Sequence, residues 1–191
     1  MGVLLLDNFD SFTFNLVDYF LQLGVKCDVV RNNVGIDVIE DLKPTALIIS
    51  PGPEIPLKAG CLMEVLSMYA EKIPILGICL GHQAIGEYYG MNLIKAPHPR
   101  HGKITSISHL EDDIFKNIPE IFNAVQYNSL ILDNRPNANI DIIATANNGQ
   151  VMAIKHNKLP VWGLQFHPEA ALTEHGLRML KNWVDDNKLG V

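Results

Sequence analysis

Cysteine, clustered positive charge and long apolar runs are all scarce in this 191-residue sequence, and each scarcity removes a class of protein. The three cysteines, Cys27, Cys61 and Cys79, are odd in number and widely spaced. They make poor material for the framework of a disulfide-stapled domain or for a zinc site; they suit a reducing compartment, so a cytoplasmic location is expected. Lys and Arg number 15 against 21 Asp and Glu, giving a net charge of −6. No basic run is visible, which argues against nucleic acid as the main partner, because phosphate binding needs clustered Lys and Arg. No apolar segment approaches the roughly 18–20 residues needed to span a bilayer. The opening MGVLLLDN has no basic n-region and too short an apolar stretch for a signal peptide. Charged residues make up 19% of the chain, somewhat below the usual quarter, which leaves surface for a partner. No repeat, low-complexity tract or linker divides the chain, and one domain over residues 1–191 is expected.

What is present is an alternation of short apolar runs and amphipathic stretches, the βαβ pattern of a parallel sheet covered by helices. Strands are predicted at Val3–Asp7, Cys27–Arg31 and Thr45–Ser50. Pro74–Ile78 is wholly apolar, as in a strand buried on both faces. Helices are predicted over Phe12–Leu23, with Ser11 as N-cap and Gly24 ending it, and over Val38–Leu42, Ala59–Glu71, Gln83–Tyr89 and Glu174–Asp186. From residue 90 to about 164 helix density drops. Short strand-like pieces (Asn92–Lys95, Lys103–Ser108, Asp141–Thr145, Val151–Lys155, Val161–Leu164) are joined by turns rich in Asn, Gly and Pro. Some of these are expected to be antiparallel and at the sheet edge.

The strongest chemical signal is Gly77-Ile78-Cys79-Leu80-Gly81, at the end of the apolar strand and the start of a helix. A nucleophile between glycines at −2 and +2 is the elbow arrangement of hydrolases, where larger flanking side chains would collide. The following helix points its N-terminal N–H groups at the sulfur and favours thiolate. A free thiol, with pKa about 8.5, is only a few per cent ionised at neutral pH, so a nearby base helps. For Cys27 and Cys61 a core position is the plainer reading.

Of seven histidines, His167 stands out because it lies just past the strand Val161–Leu164, in Gln165-Phe166-His167-Pro168-Glu169. In a parallel sheet the C-terminal strand ends line one crevice, where Cys79 would also lie. Pro168 restricts the backbone between His167 and Glu169, letting the carboxylate reach back to the imidazole. Thiolate attack on an amide also needs donors for the oxyanion. Leu80 follows the nucleophile, and in Pro51-Gly52-Pro53 only Gly52 has an N–H. His98, His101 and His109 match no common ligand spacing and read as solvated loop, so no metal or other cofactor is expected.

These residues resemble a known family. GICLGHQ (Gly77–Gln83), SPGP (Ser50–Pro53) and QFHPE (Gln165–Glu169) are similar to the class I, triad-type glutamine amidotransferases, in the right order and over nearly the whole chain. The resemblance implies a flavodoxin-like α/β fold: an open, mostly parallel sheet with helices on both faces and some antiparallel edge strands. It implies Cys79 as nucleophile, His167 as base, Glu169 as its orienting partner, and Gly52 with Leu80 as oxyanion hole. The opening DNFDSFTFNL and closing LTEHG resemble the small subunit of anthranilate synthase or of aminodeoxychorismate synthase, without separating the two. HGK (His101–Lys103) and YNSL (Tyr127–Leu130) lie where that subfamily has related motifs. The implied partner is a chorismate-binding large subunit that receives ammonia released from glutamine. Gln83 is expected to contact bound glutamine, and the backbone around Ser129 and Leu130 to hold its α-amino and carboxylate end.

The sequence departs from the family pattern at several places. Glu54 stands where a second glycine is usual, Asn128 where histidine is, Gln126 where arginine is common and Ala170 where serine is. Glu54 bears most directly on the site: the expectation is that its loop lacks the backbone angles glycine permits, and that the oxyanion hole forms only once a partner docks. Two other readings stay open at this level, a stand-alone γ-glutamyl cysteine hydrolase and a catalytically silent regulatory subunit.

Overall fold

Apolar runs too short for helices and buried on both sides account for the centre of the molecule. In the computed structural model, which describes residues 2–190, β1 (Val3–Asp7), β3 (Ala46–Ile49), β4 (Ile75–Ile78) and β9 (Val161–Leu164) are buried at every position. With β2 (Cys27–Arg31) they form a parallel set in the order β2-β1-β3-β4-β9. The sheet continues antiparallel through β8 (Val151–His156), β7 (Ile140–Ala146), β5 (Leu93–His109) and β6 (Ile121–Leu132), nine strands among the described residues.

Alternation along the parallel strands divides the core between two faces. Leu5, Ile48, Leu76 and Trp162 face α1 (Thr13–Gln22) and α5 (Gly176–Asp186) through Leu16, Phe20, Leu180 and Trp183. Leu4, Leu47, Ile49 and Ile75 face α2 (Ile36–Leu42), α3 (Leu62–Tyr69) and α4 (Leu80–Tyr88) through Ile39, Leu66 and Ile85. Each fully buried Leu or Ile contributes about 1.5–3 kcal/mol of burial, so both faces are anchored. The open α/β sheet with helices on both sides is as the sequence predicts. No helix among the described residues is long and apolar enough to cross a membrane.

Several boundaries differ from the predicted ones. Phe12, not Ser11, takes the N-cap position of α1. The turn before it is held by Asp10 Oδ2, which accepts from Phe12 N at 2.7 Å, and by Thr13 Oγ1, which donates to Asp7 Oδ1 at 2.8 Å. Gly24 ends α1 at φ +77, as predicted. The helix expected from Ala59 begins at Leu62, because Gly60 adopts φ +55 where a Cβ would collide with the Asn32 carbonyl. At α5 the first two predicted residues stay outside: His175 is left-handed at φ 60, and Glu174 accepts from Asn123 N. α4 starts earlier than predicted, immediately after Cys79.

The larger differences lie in the antiparallel half. The two pieces predicted at Asn92–Lys95 and Lys103–Ser108 are one strand, β5, whose register against β6 shifts between Lys95 and Arg100 and again between His101 and Lys103. β6 was not predicted as a strand. Its inward positions include Gln126 and Asn128, both buried, so a polar residue occupies places where the strand period calls for an apolar one.

Candidate active site

Cys79 sits between β4 and α4 with φ 51 and ψ −98, a backbone conformation uncommon for any residue with a Cβ. Its neighbours enforce it. A Cβ on Gly77 would lie 2.4 Å from the Gly81 carbonyl carbon, and one on Gly81 would lie 2.6 Å from Ile49 O. The turn is pinned from both sides: Cys79 N donates to Leu164 O at 2.8 Å, and Cys79 O accepts from Gln83 N at 3.0 Å. Strain of this kind, on the order of 1–3 kcal/mol, persists only where the surroundings over-determine it.

His167 and Glu169 follow β9, the strand beside β4, and are almost fully buried. His167 Nδ1 lies 2.6 Å from Glu169 Oε1. The imidazole is held through its backbone: His167 N donates to Val125 O at 3.0 Å, and Thr173 Oγ1 donates to His167 O at 2.7 Å while accepting from Val125 N. Phe12 and Tyr127 pack edge-on against the ring, with centroids 6.0 and 5.1 Å away. Nε2 has no well-aligned hydrogen-bond partner among the described residues, yet Cys79 is near enough to act on the ring. Burial disfavours the imidazolium, but hydrogen bonding and charge from Cys79 and Glu169 outweigh it and raise the His167 pKa from 6.5 to about 10. His82, equally buried on α4, lacks such partners; there burial prevails and pushes the pKa down to about 4. Equal burial with opposite shifts sets His167, with Cys79 and Glu169 beside it, apart from His82.

Gly52 lies beside the elbow, where a Cβ would meet Asn8 Cβ at 2.5 Å and Leu80 Cδ2 at 2.8 Å. Its loop is fixed by a buried polar network at the strand ends. Asn8 N donates to Ser50 Oγ, Asn8 Nδ2 to Ser50 O, and Asn32 Nδ2 to Asn8 Oδ1, all within 2.8–2.9 Å. Leu80 is the first residue of α4, where a backbone N–H has no acceptor within the helix. The expectation about Glu54 is corrected: it does adopt a glycine-like angle, φ 64, at the cost of left-handed strain. Its side chain is exposed and lies 3.5 Å from Lys58 Nζ.

Gln83 is buried on α4, where its Nε2 reaches Leu130 O and Gln165 Oε1, each at 3.1 Å. Leu130 is partly buried and Ser129 exposed on β6, so the predicted substrate-holding backbone borders the Gln83 side chain. Gln165, which opens the QFHPE motif, carries no role that the sequence pattern predicts. Its Nε2 lies 3.6 Å from Cys79 Sγ. Of the other departures, Asn128 Nδ2 donates to Leu130 O at 3.1 Å, Gln126 Nε2 lies 2.6 Å from Met152 Sδ, and Ala170 N donates to His167 O at 3.2 Å. His109, the last residue of β5, stacks on Phe115 at 4.4 Å.

A cysteine sulfur on a strained turn, an imidazole paired with a buried carboxylate, and adjacent backbone donors form a constellation suited to acyl transfer. The family model described as glutamine amidotransferase class-I matches residues 4–187. The chain is 42% identical over 186 residues to the aminodeoxychorismate/anthranilate synthase component 2 of Bacillus subtilis, covering 96% of this chain and 95% of that one. It is 43% identical over 189 residues to the anthranilate synthase component 2 of Porphyra purpurea, covering 97% and 100%. Among solved structures, a Thermoplasma acidophilum protein described as a GMP synthase subunit superposes with a TM-score of 0.85 at 27% identity, covering 96% of this chain and 92% of that one.

Proposed function

The chain belongs to the class-I glutamine amidotransferases, and from that premise we propose that it is the glutamine-hydrolysing component of a chorismate-using synthase, making either anthranilate or aminodeoxychorismate. The observation that carries the chemistry is the buried His167–Glu169 pair beside a strained Cys79, with the imidazole pKa raised by both neighbours. The relatives' names support the pathway assignment, and one of them bears both products.

In this reading Cys79 is the nucleophile, His167 the acid and base, and Glu169 the group that orients it. The Cys79 thiolate attacks the side-chain amide carbon of glutamine. The N–H groups of Gly52 and Leu80 hold the tetrahedral oxyanion; losing one such donor costs about 3–4 kcal/mol. The His167 imidazolium protonates the leaving nitrogen, releasing ammonia and a γ-glutamyl thioester on Cys79. His167, now neutral, takes a proton from water, and the resulting hydroxide releases glutamate and restores the thiolate–imidazolium pair. Gln83 contacts the bound glutamine, and the backbone around Ser129 and Leu130 holds its α-amino and carboxylate end. Ammonia must reach a second site unprotonated, since ammonium is not a nucleophile. A large subunit that binds chorismate is therefore the partner, and its docking surface is part of the mechanism.

Two experiments test this. A glutamine-analogue affinity reagent should label the wild type and leave Cys79→Ala unlabelled; equal labelling would sink the catalytic assignment. Mixing the protein with each candidate large subunit, chorismate and glutamine should yield one or both aminated products, identified by mass. Failure with both large subunits counts against the pathway assignment alone.

A further inference from the structure

The sulfur of Cys79 has a polar neighbour that the mechanism above leaves unused. Gln165, the first residue after β9, is fully buried, and its side-chain amide lies against Cys79 Sγ. An amide can present either end. Its oxygen would repel a thiolate, whereas its N–H groups would hold one. The choice is settled by a chain of contacts that starts at an unambiguous group. The Leu130 backbone carbonyl can only accept, so Gln83 turns its Nε2 toward it, at 3.1 Å. The same NH₂ has a second hydrogen, which meets Gln165 Oε1 at 3.1 Å. With its oxygen so engaged, Gln165 has only its NH₂ left for the sulfur, 3.6 Å away. Both glutamines are buried, so water does not compete for these bonds.

We propose that Gln165 is a further catalytic residue, donating an amide hydrogen to Cys79 Sγ to favour and aim the thiolate, with Gln83 and the Leu130 carbonyl locking its orientation. The inference rests on the reading of Cys79 as nucleophile. A thiol sulfur is a weak acceptor and a thiolate a strong one, so the bond favours the charged form. His167 takes up the thiol proton; Gln165 has none to exchange and stays a donor throughout the cycle. The lock also ties the elbow to β6, so the backbone that borders the substrate helps to set the sulfur's ionisation.

The test is the pH dependence of Cys79 alkylation by iodoacetamide in the intact chain, with the modified residue identified by peptide mass. Cys79 should react first, since burial raises the pKa of Cys61 and pushes that of Cys27 up to about 12. Removing the donor in Gln165→Leu should raise the midpoint by about one pH unit, a tenfold change in the ionisation equilibrium. Thiolate nucleophilicity falls as basicity falls, with a slope of about 0.4–0.5. The variant should therefore react about threefold more slowly than wild type well below the midpoint and about threefold faster above it. That crossing of the two curves is a signature a loosened fold does not produce. Gln83→Leu, which leaves Gln165 free to turn, should shift the midpoint in the same direction by less. Superimposable curves for Gln165→Leu overturn the proposal, as does an unmoved midpoint in Gln83→Leu should Gln165→Leu fail to fold. If Cys79 were instead no more reactive than Cys27 and Cys61, or glutaminase activity survived Cys79→Ala, the nucleophile assignment itself would fall, a result distinct from either.

Discussion

The parallel strands β2-β1-β3-β4-β9 and the antiparallel strands β8-β7-β5-β6 serve the site in different ways. Every group proposed to act on the reacting atoms, Cys79, Leu80, Gly52, Gln165 and His167, lies just beyond the C-terminal end of a parallel strand. The antiparallel half contributes restraints instead. Val125 O holds the His167 backbone, and Leu130 O holds Gln83. A parallel strand releases its chain into the crevice at one edge of the sheet, so that edge collects reactive groups. An antiparallel strand at the margin can lie along the crevice and offer successive backbone groups to it. On that proposal the reactive atoms come from one half, and much of their aim comes from the other.

The comparison breaks most easily at the elbow. Gly81→Ala places a Cβ 2.6 Å from Ile49 O, a backbone atom that cannot swing aside. Glutaminase turnover should fall about a hundredfold or more, the scale of a misplacement near 1 Å. Overpacking should also cost roughly 1–3 kcal/mol, lowering the calorimetric Tm by several degrees. Unchanged turnover would mean that the parallel half tolerates more than its packing suggests. On the antiparallel side, Thr173→Val removes the hydroxyl between Val125 N and His167 O while keeping its volume. Stability should drop by about 1–3 kcal/mol, and kcat roughly tenfold, about 1.4 kcal/mol of barrier, with KM little changed. If stability fell and kcat did not, the antiparallel half would serve stability alone.

A third prediction sharpens the link between the halves at His167. Followed by NMR, its imidazole should titrate well above the ordinary 6.5, near 10, and Cys79→Ala should lower that midpoint by removing a hydrogen bond and a charge. Because the folded value lies above the ordinary one, the stabilisation from this protonation is complete below about pH 6.5 and is lost as pH climbs through about 10. The smallest effect is expected at the oxyanion loop. Glu54→Gly relieves a left-handed residue at φ 64 and gives up an exposed ion pair with Lys58. Left-handed strain of about 1–2 kcal/mol is offset by the extra chain entropy of glycine, so the net gain should be under about 1 kcal/mol. Denaturant unfolding measures it; a loss of stability would show that Glu54 is favoured by more than its ion pair.

The two halves also differed in how far the sequence revealed them. Pro74–Ile78 and Val161–Leu164 are short apolar runs bounded by turn residues, and they mark buried strands without help from distant contacts. Cys79 is legible for the same reason: its flanking glycines are demanded by contacts within a few residues and with the adjacent strand. β6 is not legible, because buried Gln126 and Asn128 answer to partners that sequence spacing does not show, Met152 Sδ and Leu130 O. Gln165 is not legible either, because the role proposed for it rests on a contact spanning 86 residues. Glu54 was legible as a departure but not in its outcome. The strain at one residue is small against the network that fixes the loop.

The position of β9 in the sheet has a bearing on biosynthesis. Among the described residues it is the last strand in chain order, yet it lies between β4 and β8, and its pairing with β8 is the one ladder there that joins the two halves. A nascent chain that has reached residue 160 holds Cys79, the proposed nucleophile, but not His167, the proposed base, and keeps the Ile75–Ile78 edge open. Long-range closure of this kind folds late, and an open apolar edge invites association with other chains. On the proposed mechanism the same arrangement would keep unfinished chains from hydrolysing glutamine, because Cys79 gains His167 only when the strand that links the two halves is in place.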